Sequence, residues 1–117
     1  LKVLIIDDEP DICYLLSSIL RQKQMQADFV NSLTEARTAL GVHNPQLVFL
    51  DNHLPDGRGI DFISDIKKQG SHTKVIMITA HDTMDDRRSA IERGVDGFIG
   101  KPFTREAIFN VIDKLLA

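Results

Sequence analysis

Acidic side chains gather at two points of the chain, Asp7-Asp8-Glu9 and Asp51, each directly after a short apolar run. Thr79-Ala80 ends a third such run, and Lys101-Pro102 follows a fourth. Carboxylates that converge repel one another unless a cation neutralises them. Hard oxygen ligands from few side chains, with room left for water, suit Mg²⁺ better than a softer metal. A lysine opposite adds a movable positive charge, and a threonine adds a hydroxyl donor. Metal, ammonium and hydroxyl together are what a phosphoryl group in transfer requires, because its transition state spreads charge over peripheral oxygens. A carboxylate as the attacking group gives an aspartyl phosphate.

That chemistry needs the four points brought to one place. The runs Val3-Leu4-Ile5-Ile6, Leu47-Val48-Phe49-Leu50 and Val75-Ile76-Met77-Ile78 are continuously apolar, as strands buried on both faces of a parallel sheet read. Ala27-Asp28-Phe29-Val30 and Gly97-Phe98-Ile99 are weaker and read as edge strands. Between them lie helical stripes. Ile12, Leu15, Leu16, Ile19 and Leu20 follow helical spacing behind Pro10, and Ile108, Val111, Ile112, Leu115 and Leu116 repeat it. Ser32 with Glu35 has capping-box spacing and predicts a helix to about Leu40, with Gly41 as its stop. Helices over Ile60 to Lys68 and Asp82 to Arg93, stopped by Gly70 and Gly94, complete five strand–helix pairs.

Alternating strands and helices imply an α/β fold, a doubly wound five-stranded parallel sheet with right-handed crossovers. The order 2-1-3-4-5 is taken over from flavodoxin-like folds rather than deduced. In such sheets ligands bind beyond the C-terminal strand ends, at the switch point between strands 1 and 3. Asp7, Asp8, Asp51, Thr79 and Lys101 all fall at that edge.

The 117 residues suffice for one domain over 1–117. A net charge of -3 provides no basic field for nucleic acid or an anionic membrane. No apolar run approaches the roughly 20 residues of a membrane helix. The single Cys13 forms no intrachain disulfide, which fits a reducing cytoplasm, and is read as a packing residue. The chain opens at Leu1 directly into a strand, as a piece of a longer protein would.

Asp7-Asp8-Glu9-Pro10, Leu50-Asp51 with Leu54-Pro55-Asp56-Gly57, Thr79-Ala80 and Lys101-Pro102-Phe103 occur in order and on the right elements. Over essentially its whole length the sequence resembles the receiver domain of bacterial two-component response regulators. The resemblance implies Asp51 as phospho-acceptor and a metal site of Asp7, Asp8, Asp51 and the backbone carbonyl of His53. Asp8 would ligate Mg²⁺ directly and Asp7 often through water. Lys101 would pair with the phosphoryl oxygens, and Thr79 would move toward them on activation. The Lys101–Pro102 bond would be cis. A sensor histidine kinase is the implied donor, and a homodimer through helix 4, strand 5 and helix 5 the implied assembly. The wording around Leu54-Pro55-Asp56-Gly57, Thr79-Ala80-His81 and Lys101-Pro102-Phe103 is also similar to enhancer-binding transcription activators, which implies an output in transcription, and the receiver resemblance implies a phospho-accepting signalling domain rather than an enzyme.

Simpler readings stand beside these. An Asp ending a strand is a common helix cap, Thr79 a β-branched strand residue and Lys101 a solvated loop residue. Phe98 occupies the place of a family aromatic that swings inward on activation, and simple packing accounts for it equally well. Asp56-Gly57 reads as turn chemistry. His53 and His81 lie two residues beyond Asp51 and Thr79, where side chains overhang the pocket in receivers, and are expected to influence access of water. Asn52 and His53 depart from the aliphatic residues or Met often found after the acceptor, which leaves the phosphoryl lifetime open. The alternative function is a phosphorylation-independent pseudo-receiver, which would lack an acidic residue, the Thr or the Lys. An aspartate phosphatase would want a second Asp where His53 stands, and a flavodoxin a hydroxyl- and Gly-rich loop where Asp8-Glu9-Pro10 stands.

Overall fold

The computed structural model describes residues 1–81 and 83–116. Asp82, from which the fourth helix is expected to run, and Ala117, the expected end of the domain, lie outside the described residues.

Among the described residues, five parallel strands build one sheet: β1 (Lys2–Ile6), β2 (Gln26–Val30), β3 (Leu47–Asp51), β6 (Lys74–Thr79) and β7 (Gly97–Gly100). Their order is β2-β1-β3-β6-β7, which is 2-1-3-4-5 when the sheet strands alone are counted. A two-stranded antiparallel ribbon, β4 (His53–Leu54) with β5 (Gly57–Arg58), rises from the end of β3. Six residues carry no periodicity, so nothing in the sequence pattern announces it.

Side chains alternate across each strand with period two, and this divides the core. Val3, Ile5, Leu47, Phe49, Ile76 and Ile78 face one way, toward α1 (Pro10–Arg21) and α5 (Arg105–Leu116). Leu4, Ile6, Val48, Leu50, Val75 and Met77 face the other, toward α2 (Leu33–His43), α3 (Ile63–Gln69) and α4 (Met84–Glu92). All five residues of β3 are buried, while β2 at the edge leaves Phe29 39% exposed. Pro10 occupies the first turn of α1, where its missing N–H costs nothing.

Three helix boundaries correct the sequence reading. Gly41 lies inside α2, and the stop is Asn44, left-handed at φ 49°, whose N–H donates to Leu40. The third helix begins as a 3₁₀ turn over Gly59–Phe62. Its first two N–H groups are taken by Asn52: Gly59 donates to the Asn52 carbonyl at 2.9 Å and Ile60 to Asn52 Oδ1 at 3.0 Å. The fourth helix starts at Met84 with Thr83 as its cap, its Oγ1 accepting from the Asp86 N–H.

Gly59 also passes close under β3. A Cβ there would sit 2.1 Å from the Asp51 carbonyl oxygen. Backbone cannot give way as a flexible side chain can, so Gly59→Ala forces the 52–60 loop outward. We expect a loss on the order of 2–3 kcal/mol in chemical denaturation, in the range of overpacking. A loss below about 0.5 kcal/mol, typical of a surface change, would show that the close approach is not needed.

Candidate functional site

The pairing of β1 with β3, and of β3 with β6, brings the strand ends together. Asp51 stands opposite Ile78 in the register, one residue before Thr79, and Thr79 stands opposite Gly100, one residue before Lys101. The Lys101 N–H donates to the Thr79 carbonyl at 2.8 Å, which pins the lysine to the sheet edge. The Lys101–Pro102 peptide is cis.

Asp7, Asp8 and Asp51 offer carboxylate oxygens that all lie within 4.8 Å of one another. Asp7 is fully buried and Asp51 is 4% exposed, while Asp8 faces solvent. The Lys101 ammonium enters from across the pocket, 2.9 Å from Asp7 Oδ2 and 3.7 Å from Asp51 Oδ1. Asp7 Oδ1 accepts from the Glu9 N–H at 2.9 Å. Its buried Oδ2 meets the ammonium as a charge contact but accepts no aligned hydrogen bond. An underserved buried carboxylate oxygen beside two more carboxylates is a donor set with capacity for a hard cation.

Electrostatics report the same crowding. Burial, reinforced by the neighbouring Asp7 charge, pushes the Asp51 carboxyl up to about 6, against Lys101 and the backbone N–H groups of His53 and Asn52. Asp7 is likewise raised by burial, against the Glu9 N–H and Lys101. Burial opposes the charge on Lys101, but Asp7, Asp51 and Glu9 together outweigh it and raise the ammonium's pKa. One cation among three carboxylates leaves net negative charge where a metal would sit.

The remaining predicted residues are also placed. Thr79 is buried, and its hydroxyl accepts from the His81 N–H at 3.1 Å. Phe98 is half-buried, with the Arg87 guanidinium 4.6 Å from its ring centre. His53 opens the ribbon two residues after Asp51. Its ring meets that of His81 edge to face, with centroids 4.9 Å apart at 88°. Cys13 is buried, and burial pushes its thiol up to about 11, so it packs rather than reacts.

Sequence reasoning missed three contributors. Glu9 places a carboxylate 3.7 Å from Lys101. Asn31 Nδ2 donates to the Asp7 carbonyl at 2.9 Å. Asp56, read as turn chemistry, reaches out of the ribbon to the start of α2 and accepts from the Leu33 and Thr34 N–H groups, both at 2.9 Å. Glu9 belongs to the acidic run already singled out, with no role given to it; the other two are loop residues whose partners are distant in sequence.

Residues 3–113 match the family model of the response regulator receiver domain. The nitrogen assimilation regulatory protein NtrX of Azorhizobium caulinodans is 32% identical over 97% of this chain and 26% of its own length. The chemotaxis protein CheY of Halobacterium salinarum is 30% identical over 98% of this chain and 96% of its own. The solution structure of the beryllofluoride-activated NtrC4 receiver domain dimer superposes with a TM-score of 0.92 at 34% identity, covering 97% of this chain and 94% of that one. NtrX is not alone in being longer: the chain spans 23% to 50% of the first curated relatives it matches. No helix among the described residues is long and apolar enough to cross a membrane.

Proposed function

The chain belongs to the response regulator receiver domains, and from that membership we propose that Asp51 is its phospho-acceptor, in a Mg²⁺-dependent reaction. The observation that carries the reading is the convergence of Asp7, Asp8, Asp51 and Lys101 at one sheet edge, with three carboxylates inside 4.8 Å and one ammonium against them. An Asp51 carboxylate oxygen bonds to the donor's phosphorus as the donor's own bond to that phosphorus breaks, and the leaving group departs with its electron pair. Lys101 supplies positive charge to the phosphoryl oxygens, moving from Asp7 toward Asp51 as negative charge builds there. The Thr79 hydroxyl, whose oxygen accepts from the His81 N–H, donates its own proton to a phosphoryl oxygen. Asp7, Asp8, Asp51 and the His53 carbonyl would hold Mg²⁺, which when bound supplies charge neutralisation and orientation.

A sensor histidine kinase is the proposed donor, and a longer regulator acting in the cytoplasm, whose output includes transcription control, the proposed setting. The dimeric state of the NtrC4 receiver supports a dimer of this chain, and we propose α4, β7 and α5 as its face. Incubation with Mg²⁺ and acetyl phosphate tests the reading. One phosphoryl adduct in the intact mass, absent when the metal is chelated, is expected; no adduct in Mg²⁺ refutes it.

The two histidines bear on the lifetime of that adduct. Their rings meet edge to face two residues beyond the ends of β3 and β6, and we take the pair as a screen against water at Asp51. Replacing both by Ala removes this screen, and dephosphorylation is expected to speed up several-fold in a phosphate-release assay. An unchanged rate would discard the idea.

A further inference from the structure

The acceptor loop is fastened at both ends. At its base Asn52 takes the Gly59 and Ile60 N–H groups. At its tip both carboxylate oxygens of Asp56 are engaged by α2: Oδ1 by the Leu33 N–H, and Oδ2 by the Thr34 N–H and, at 2.8 Å, the Thr34 hydroxyl. These bonds hold the Asp56 carboxyl below the usual carboxylate range, Leu33 contributing most. Gly57 lets the loop lie this close, since a Cβ there would fall 2.9 Å from Leu33 Cδ1.

The same stretch of chain also holds the opposite side of the pocket. Asn31, two residues before Leu33, donates to the carbonyl of Asp7. Glu35 in turn accepts from the Asn31 N–H at 3.2 Å and stabilises that turn. Residues 31–34 are therefore a bridge. One end fixes the β1 strand end that carries Asp7 and Asp8, and the other fixes the loop that carries the His53 carbonyl.

We propose that Asp56 and Asn31 are positioning residues for the metal: through the start of α2 they set the spacing between the Asp7-Asp8 pair and the acceptor loop. This rests on the Mg²⁺ reading above. Neither side chain touches the pocket carboxylates, so their effect is on preorganisation of ligands that are themselves intact. Outer supports of metal ligands commonly carry a tenfold or larger share of affinity.

Calorimetric titration of the unphosphorylated domain with Mg²⁺ tests this directly. Asp56→Ala and Asn31→Ala are each expected to weaken binding by about tenfold. Asp56→Asn, which keeps one carbonyl acceptor, should fall between Asp56→Ala and wild type. Thr73→Ala is the control, because it removes a buried bond, the Thr73 hydroxyl to the Pro45 carbonyl at 3.0 Å, at the end of the sheet opposite the pocket and without touching the bridge. It should lower the Tm and leave Mg²⁺ affinity unchanged. In acetyl phosphate assays the Asp56→Ala rate should be low at limiting Mg²⁺ and return to wild type at saturation. Unchanged affinity in both Ala variants, an equal loss in Thr73→Ala, or a rate that stays low at saturating Mg²⁺ each overturns the proposal. A wild-type domain that binds no Mg²⁺ overturns the metal reading along with it, so the two failures are distinguishable.

Discussion

Asp51→Ala leaves the domain unable to take up a phosphoryl group: after Mg²⁺ and acetyl phosphate its intact mass stays that of the free protein, where wild type gains one adduct. The expectation follows from how the three carboxylates are engaged. Asp7 is fully buried and committed to the Glu9 N–H and, at 2.9 Å, to Lys101. Asp8 faces solvent, away from the desolvated surroundings that make a fixed charge effective. Asp51 lies between, nearly buried and only 3.7 Å from Lys101, close enough for that ammonium to shift onto the new phosphoryl oxygens. Loss of the attacking oxygen removes the reaction itself and not a part of its rate, so the expected effect is complete. Misfolding does not confound it, because Ala removes a charge that burial and Asp7 disfavour. An adduct that survives the substitution would transfer the acceptor role to another side chain and sink the assignment.

The sheet and its acidic edge were readable because their signals are local. A strand buried on both faces is a continuous apolar run, and β1, β3 and β6 read that way. Parallel strands of similar length end together, so Asp7, Asp51, Thr79 and Lys101 had to meet once the alternation was recognised. The errors came where a distant partner decides the outcome. Asn44 ends α2 because Asn tolerates the left-handed region, while Gly41 three residues earlier simply continues the helix. The 3₁₀ turn at Gly59 exists because Asn52, buried seven positions before it, takes its first N–H groups. Asp56 is the turn residue it reads as, between β4 and β5, but its side-chain partners, Leu33 and Thr34, are more than twenty positions away and adjoin it only in the folded chain.

With the metal chelated, Asp51→Asn should stabilise the domain and Lys101→Ala should destabilise it, opposite signs from contacting residues of one site. Asp51 titrates at about 6 in the folded protein against an ordinary 3.8. The folded state therefore holds its proton more tightly than the unfolded chain does. Between about pH 4 and pH 6 it binds more protons, so stability falls as pH rises through that window, and the loss is fully present at neutral pH. A shift of this size corresponds to on the order of 3 kcal/mol, which Asp51→Asn removes. The pH slope should shrink but persist, because Asp7 is raised as well. Lys101 acts in the other direction. It is the cation nearest the fully buried Asp7, and stripping one member of such a pair costs roughly 3–5 kcal/mol. Since the pair is coupled, the double variant should be less destabilised than the sum of its parts, with Asp51→Asn contributing least repulsion relief where Lys101 is retained. Urea titrations in chelator, repeated in Mg²⁺, decide the matter. Mg²⁺ should raise wild-type stability by mass action and recover part of the Lys101→Ala loss, because it neutralises the same carboxylates. A destabilised Asp51→Asn in chelator would mean that the pocket is not strained by its own charge, and the electrostatic case for a cation there would fall.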